Sequence, residues 1–139
     1  MQKWDLSCGA AALATLLTYD LNHPVDERTV AEGMLRRTKA EKVRAQGGFS
    51  LLDLQRFSAT RGYQADGYGN LGLEDLAALL PAIVPIRIHG YDHFVVVRSA
   101  REGYVHFADP AYGGRRMDTA TFEQAWVQRV AFVLTSGAP

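Results

Sequence analysis

The chain reads as an α+β domain, with a helical lobe over about residues 1–62, an antiparallel sheet lobe over about 63–139, and room for a cleft between them. Two observations predict this. Apolar residues recur at helical spacing as far as Arg61, whereas from Ala82 onward the apolar runs are short, rich in Val, Ile, Phe and Tyr, and separated by turn residues. A third sets the scale: 139 residues, 47% of them apolar, fit a single domain able to bury a core.

The first helix is expected from Cys8 to about Tyr19, where Ala and Leu predominate, and His23-Pro24 breaks the chain after it. Asp26 caps a second helix reaching about Arg37, with Val30, Met34 and Leu35 on one face. Arg36 to Arg44 holds five basic residues and one Glu, the composition of a solvated helix end and loop. Gly47-Gly48 marks a turn. Ser50, with Asp53 three residues on, caps a third helix that Gly62 ends after Arg61. Leu73 to Leu80 reads as a short helix. Strands are expected at Ala82–Ile88, Phe94–Ser99, Tyr104–Ala108 and Arg129–Thr135, with a helical turn from Thr121 to Trp126 before the last.

Charge and composition exclude several classes. Fifteen basic residues balance fifteen acidic ones, so no electrostatic basis exists for nucleic acid or an anionic membrane as partner. No apolar run approaches the ~20 residues of a membrane-spanning helix. One cysteine forms no internal disulfide, which leaves the redox compartment open. Met1 stands directly before Gln2, the pattern of a mature fragment supplied with a start methionine, its targeting segment absent.

The chemistry centres on Cys8, at the first turn of the run Ser7-Cys8-Gly9-Ala10-Ala11-Ala12-Leu13. A lone cysteine is ordinarily a small buried hydrophobe. At a helix N-terminus, however, the peptide dipoles favour thiolate over thiol, and first-turn N–H groups without helical partners can hold an oxyanion. His93 opens the strand Phe94-Val95-Val96-Val97, and Asp109 closes Tyr104-Val105-His106-Phe107-Ala108. A tight turn at Arg101-Glu102-Gly103 sets His93 within about one residue of standing opposite Asp109, with a bulge at Gly103 able to shift the register. A thiol, an imidazole that takes its proton and returns it to the leaving amine, and a carboxylate that fixes the ring tautomer make a nucleophilic set. The Gln2 side-chain amide is a second candidate oxyanion donor.

These residues, in this order, resemble the double-glycine peptidases, the bacteriocin-leader-processing branch of the papain-like cysteine peptidases. The matching elements are Gln2 with Ser7-Cys8-Gly9-Ala10, the helix entry Gly48-Phe49-Ser50-Leu51-Leu52, Leu80-Pro81-Ala82-Ile83, His93-Phe94-Val95-Val96-Val97, and Asp109-Pro110-Ala111 with Gly113. They span nearly the whole chain. The resemblance implies a papain-like fold and cleavage of a secreted peptide or protein after Gly-Gly. It implies Cys8 as nucleophile, His93 as base, Asp109 as orienter and Gln2 in the oxyanion hole, with no cofactor or metal. Many members are N-terminal domains of exporters; this chain, lacking spans, is more similar to stand-alone members such as the peptidase of bacterial functional-amyloid secretion. That implies secretion-system proteins as further partners and the periplasm as location, the cytoplasm being the alternative. Bulky residues flanking the site would restrict the cleft to glycine, with Trp4, Tyr91 and Tyr112 the candidates.

Three other readings compete. A non-catalytic module would use the same cleft to hold a secretion substrate, and an acyl-transfer enzyme would share the Cys-His-Asp set. Cys8, His89, His93 and His106 form a conceivable zinc set, but His89-x-x-x-His93 reads as a turn into a strand, and no Cys-x-x-Cys supports it. His106 falls on the opposite strand face from Asp109 by parity. Arg115-Arg116 reads as a solvated face, or as a dock for an acidic substrate region.

Overall fold

A computed structural model describes residues 8–36, 51–110 and 113–136 of the chain. Helix α1, Cys8–Thr15, continues directly into a π-helical turn, Leu16–Asp20. Its composition leaves no polar side: Ala10, Ala12, Leu13 and Leu17 expose no surface. An all-apolar helix of this kind belongs in the centre of a core. Asp26 caps α2, Glu27–Leu35, accepting from the Thr29 N–H at 2.7 Å. Val30 and Met34 are buried as expected, but Leu35 is 43% exposed. The correction follows from helix geometry, since Val30 and Met34 form one i,i+4 row and Leu35 lies about 100° round the axis from Met34.

Helix α3, Leu51–Thr60, packs on α2 at a point where Gly33 is needed, because a Cβ there would overlap the Phe57 ring. Gly62, at φ +85°, turns the chain out of α3. The proposed Gly47-Gly48 turn, the Ser50 cap and the basic stretch beyond Arg36 lie outside the described residues.

The second part contains β1 (Tyr63–Tyr68), α4 (Leu73–Ala77), β2 (Ala82–Ile88), β3 (Tyr91–Arg101), β4 (Tyr104–Asp109), β5 (Gly113–Asp118), α5 (Thr119–Ala125) and β6 (Ala131–Ser136). The strands form one antiparallel sheet in the order β1-β6-β2-β3-β4-β5. One face carries Ile83, Phe94, Val96, Ala108 and Phe132 against α1, α2 and α3. The other carries Val84, Ile86, Val95, Val97 and Phe107 against Leu76 of α4, Phe122 of α5 and Trp126. Burial on both faces explains why β2 and β3 read as unbroken apolar runs rather than alternating ones.

Two strands depart from the expected set: β1 and β5 were not among the anticipated strands. Both are edge strands and mostly exposed, so neither carries the apolar alternation that marks a strand in sequence. The Gly113-Gly114 pair opens β5 opposite Asp109 and Ala108.

Candidate active site

Cys8 is the first residue of α1, where the sequence reading put it. Glycine and alanines follow it, so the helix can approach the sheet closely. Its far end is tied down. Asp20 accepts from Arg98 of β3 through both oxygens, Nε to Oδ1 at 2.7 Å and Nη2 to Oδ2 at 3.0 Å. Toward that same end, Thr15 and Tyr19 line a cleft of about 510 Å³ with Arg98, Asp109, Pro110 and Gly113.

From Asp20 back to Cys8 the helix covers about 16–18 Å at ~1.5 Å per residue, slightly less through the π turn. From Arg98 back to His93, β3 covers about 16 Å at ~3.3 Å per residue. The two spans, measured from that tie, are of similar length.

His93 is half-buried and pairs with Ile86 across the β2–β3 ladder. Asp109, the last residue of β4, is 2% exposed. The register that pairs Val96 with Ala108 brings Asp109 level with Val95. His93 thus stands two residues along β3 from Asp109 on the same side of the pleat, a diagonal neighbour at ~7–8 Å rather than an opposed one. Two features correct the expected register. The turn is confined to Glu102-Gly103, both with positive φ as a two-residue hairpin requires, and the bulge lies between Val97 and Ser99, at Arg98, rather than at Gly103.

Rung partners also sort the faces. Ile86 packs in the cluster away from α1, so His93 and α1 belong to opposite sides of β3. The side chain of Cys8 lies outside the described residues. Gln2, Trp4 and Tyr112 lie outside the described residues, as does the side chain of Tyr91.

His89 sits in the β2–β3 turn at φ +52°, exposed, which removes the shared helical face with His93. His106 is exposed and pairs with Ser99 and Arg116, whose guanidinium lies 4.5 Å over the Tyr104 ring.

Two ion pairs beside the site escaped the sequence reading. One is Arg98–Asp20; the other is Arg87–Asp92, with Nε to Oδ1 at 2.7 Å and Nη2 to Oδ2 at 3.3 Å. The second was within reach. Residues 87 and 92 are placed symmetrically about the His89-Gly90 turn, so a hairpin reading centred there opposes their charges.

The peptidase C39 family model matches residues 1–137. The probable functional amyloid protease FapD of Pseudomonas aeruginosa is 42% identical over 136 residues, 98% of this chain and 60% of that protein. The chain spans about 60% of the length of the curated relatives it matches. Among solved structures, the peptidase domain of Streptococcus ComA superposes with a TM-score of 0.75 at 20% identity, covering 98% of this chain and 96% of that one. A double glycine motif protease from an AMS/PCAT transporter, in complex with the leader peptide, superposes at 0.73 and 23% identity, covering 98% and 89%.

Proposed function

This chain belongs to the peptidase C39 family, and on that premise we propose that it is a cysteine endopeptidase that cleaves a secreted peptide or protein after a Gly-Gly motif. The cleft runs between the helical part, 1–62, and the sheet part, 63–139. His93 takes the proton from the Cys8 thiol, and the thiolate attacks the carbonyl carbon of the second glycine. First-turn N–H groups of α1 and the Gln2 side chain receive the charge that develops on the carbonyl oxygen. Collapse breaks the C–N bond, His93 gives its proton to the departing amine, and a water activated by His93 then hydrolyses the thioester. Asp109 accepts the other ring N–H and keeps the imidazole in one tautomer.

The observation that supports this reading is that Cys8 opens α1 while the β3–β4 ladder sets Asp109 diagonal to His93, within a chain that the peptidase C39 family model matches over residues 1–137. The Gly-Gly preference draws support from the double glycine motif protease with its leader peptide. A functional-amyloid secretion pathway, its secretion proteins as partners and the periplasm as compartment draw support from the FapD relatives. No helix among the described residues is long and apolar enough to cross a membrane.

The test is mass spectrometry of products from co-encoded secreted proteins and from matched Gly-Gly and Gly-Ala peptides. The wild-type chain should cut after Gly-Gly and lose at least tenfold in kcat/KM, about 1.4 kcal/mol, when either glycine becomes alanine. Cys8→Ala should abolish cleavage in a folded protein, and Gln2→Ala should lower kcat by about 10²-fold with little change in KM. Full activity in folded Cys8→Ala would end the mechanism. A wild-type Cys8 that neither alkylates rapidly near neutral pH nor cleaves any peptide would favour the binding-module reading.

A further inference from the structure

We propose that Arg87 and Asp92 are a positioning pair for His93: they lock the end of the β2–β3 hairpin so that the imidazole keeps one place relative to α1. This rests on His93 being the general base. The last rungs of the hairpin are Ile86 with His93, Arg87 with Asp92, and Ile88 with Tyr91, closed by the His89-Gly90 turn. The ion pair is therefore the rung next to the imidazole, and Asp92 is the residue before it in the chain.

The pair is an unusual way to hold a hairpin. The Asp92 side chain has no exposed surface, whereas that of Arg87 is 45% exposed. Burying a carboxylate forfeits its hydration, and only a guanidinium in good geometry offsets that loss; apolar partners, such as the flanking Ile86 and Ile88, close rungs without it. What the fork adds is a single geometry. Two parallel N–H···O contacts fix the plane of the carboxylate as well as its distance, and so fix the rotation of β3 about its own axis.

That rotation matters because of the pleat. Asp92 shares the α1 side of β3 with Phe94 and Val96, and His93 points the other way. A strand end free to roll would swing His93 as Asp92 moved. A displacement of about 1 Å between reacting groups costs up to ~10²-fold in rate.

The experiment compares wild type with Asp92→Asn, Arg87→Met and Arg87→Lys. Each is assayed at saturating and limiting Gly-Gly peptide, with active sites counted by alkylation of Cys8. The His93 ring is followed by NMR titration without substrate. Expected for Asp92→Asn and Arg87→Met is a fall of about tenfold or more in kcat per titrated site, KM within twofold, and a displaced or broadened His93 ring titration. Arg87→Lys, with a charge but no fork, should recover only part of the rate. A merely structural role would lower melting temperature and the count of active sites while leaving kcat per site and the ring titration unchanged. That result overturns the proposal. Arg87 is half exposed, so its variants report even where Asp92→Asn fails to fold. If wild type shows no Cys8-dependent cleavage, the peptidase reading fails on its own, and an unchanged His93 titration in Arg87→Met still decides the pair.

Discussion

Cutting the tie between Asp20 and Arg98 should both destabilise the domain and slow it. The two hydrogen bonds, 2.7 and 3.0 Å, join a carboxylate that is 11% exposed to a guanidinium that is 39% exposed. Buried charge-assisted bonds contribute ~1.5–3 kcal/mol each, while exposed pairs fall to ~0.2–1. The exposed guanidinium pulls this pair toward the lower limit, so a coupling of about 1 kcal/mol is expected from a double-mutant cycle of Asp20→Ala, Arg98→Ala and the double variant. For a chain of this length that corresponds to about 4 °C in melting temperature. The coupling should shrink in molar salt, because the arginine side faces solvent. The functional arm is separate. With its C-terminal end released, α1 can slide or tilt against β3, and its other end carries Cys8, so kcat should drop about tenfold in either single variant. Thermal melts and active-site-titrated kinetics measure the two arms. A coupling indistinguishable from zero together with unchanged kcat would show that the tie does not set the axial position of α1.

Two further outcomes follow from the site and from α2. His93→Ala should lower kcat by ~10³ or more and Asp109→Asn by less, since neighbouring structure still holds the ring; equal activity of Asp109→Asn and wild type across the pH profile would remove Asp109 from the mechanism. The Thr29 hydroxyl and backbone N–H hydrogen-bond Asp26 and hold its carboxyl below the ordinary value. A depressed carboxylate stabilises the fold above its unfolded pKa and loses that contribution as pH falls through the folded one, so wild type should lose melting temperature relative to Asp26→Asn below about pH 4. Parallel melting curves down to the acid limit would contradict the cap.

The helical half and the inner strands were legible because burial imposes a pattern there. The Cys8 helix is apolar on all sides, Asp26 sits before a helical period, and β2 to β4 are Val- and Ile-rich because both sheet faces are covered. The edges were not. β5 begins Gly-Gly-Arg-Arg, and only the ladder to β4 makes it a strand. Register was missed for a local reason: Glu102 takes a left-handed conformation, moving the turn by a residue, and the bulge at Arg98 leaves no mark in composition. The candidate residues themselves lay in the open, as a lone thiol at a helix start, a histidine opening a strand and an aspartate closing the next. The Asp20–Arg98 tie did not, since an ion pair across the fold needs the fold to be seen, whereas Arg87–Asp92 follows once a hairpin is centred on His89-Gly90.

The place of β6 in the sheet has a consequence for synthesis. It is the last described strand to leave the ribosome, yet it lies between β1 and β2, with Phe132 against Ile83 and a full ladder to β1. Until it emerges, β1 and the β2–β5 meander have no strand joining them, and both flank an open edge. The thiol-bearing helix is made first and the joining strand last. On the proposed mechanism, Cys8 is therefore synthesised well before the strand that completes the sheet, and a product stalled before β6 would carry the cysteine without the finished sheet.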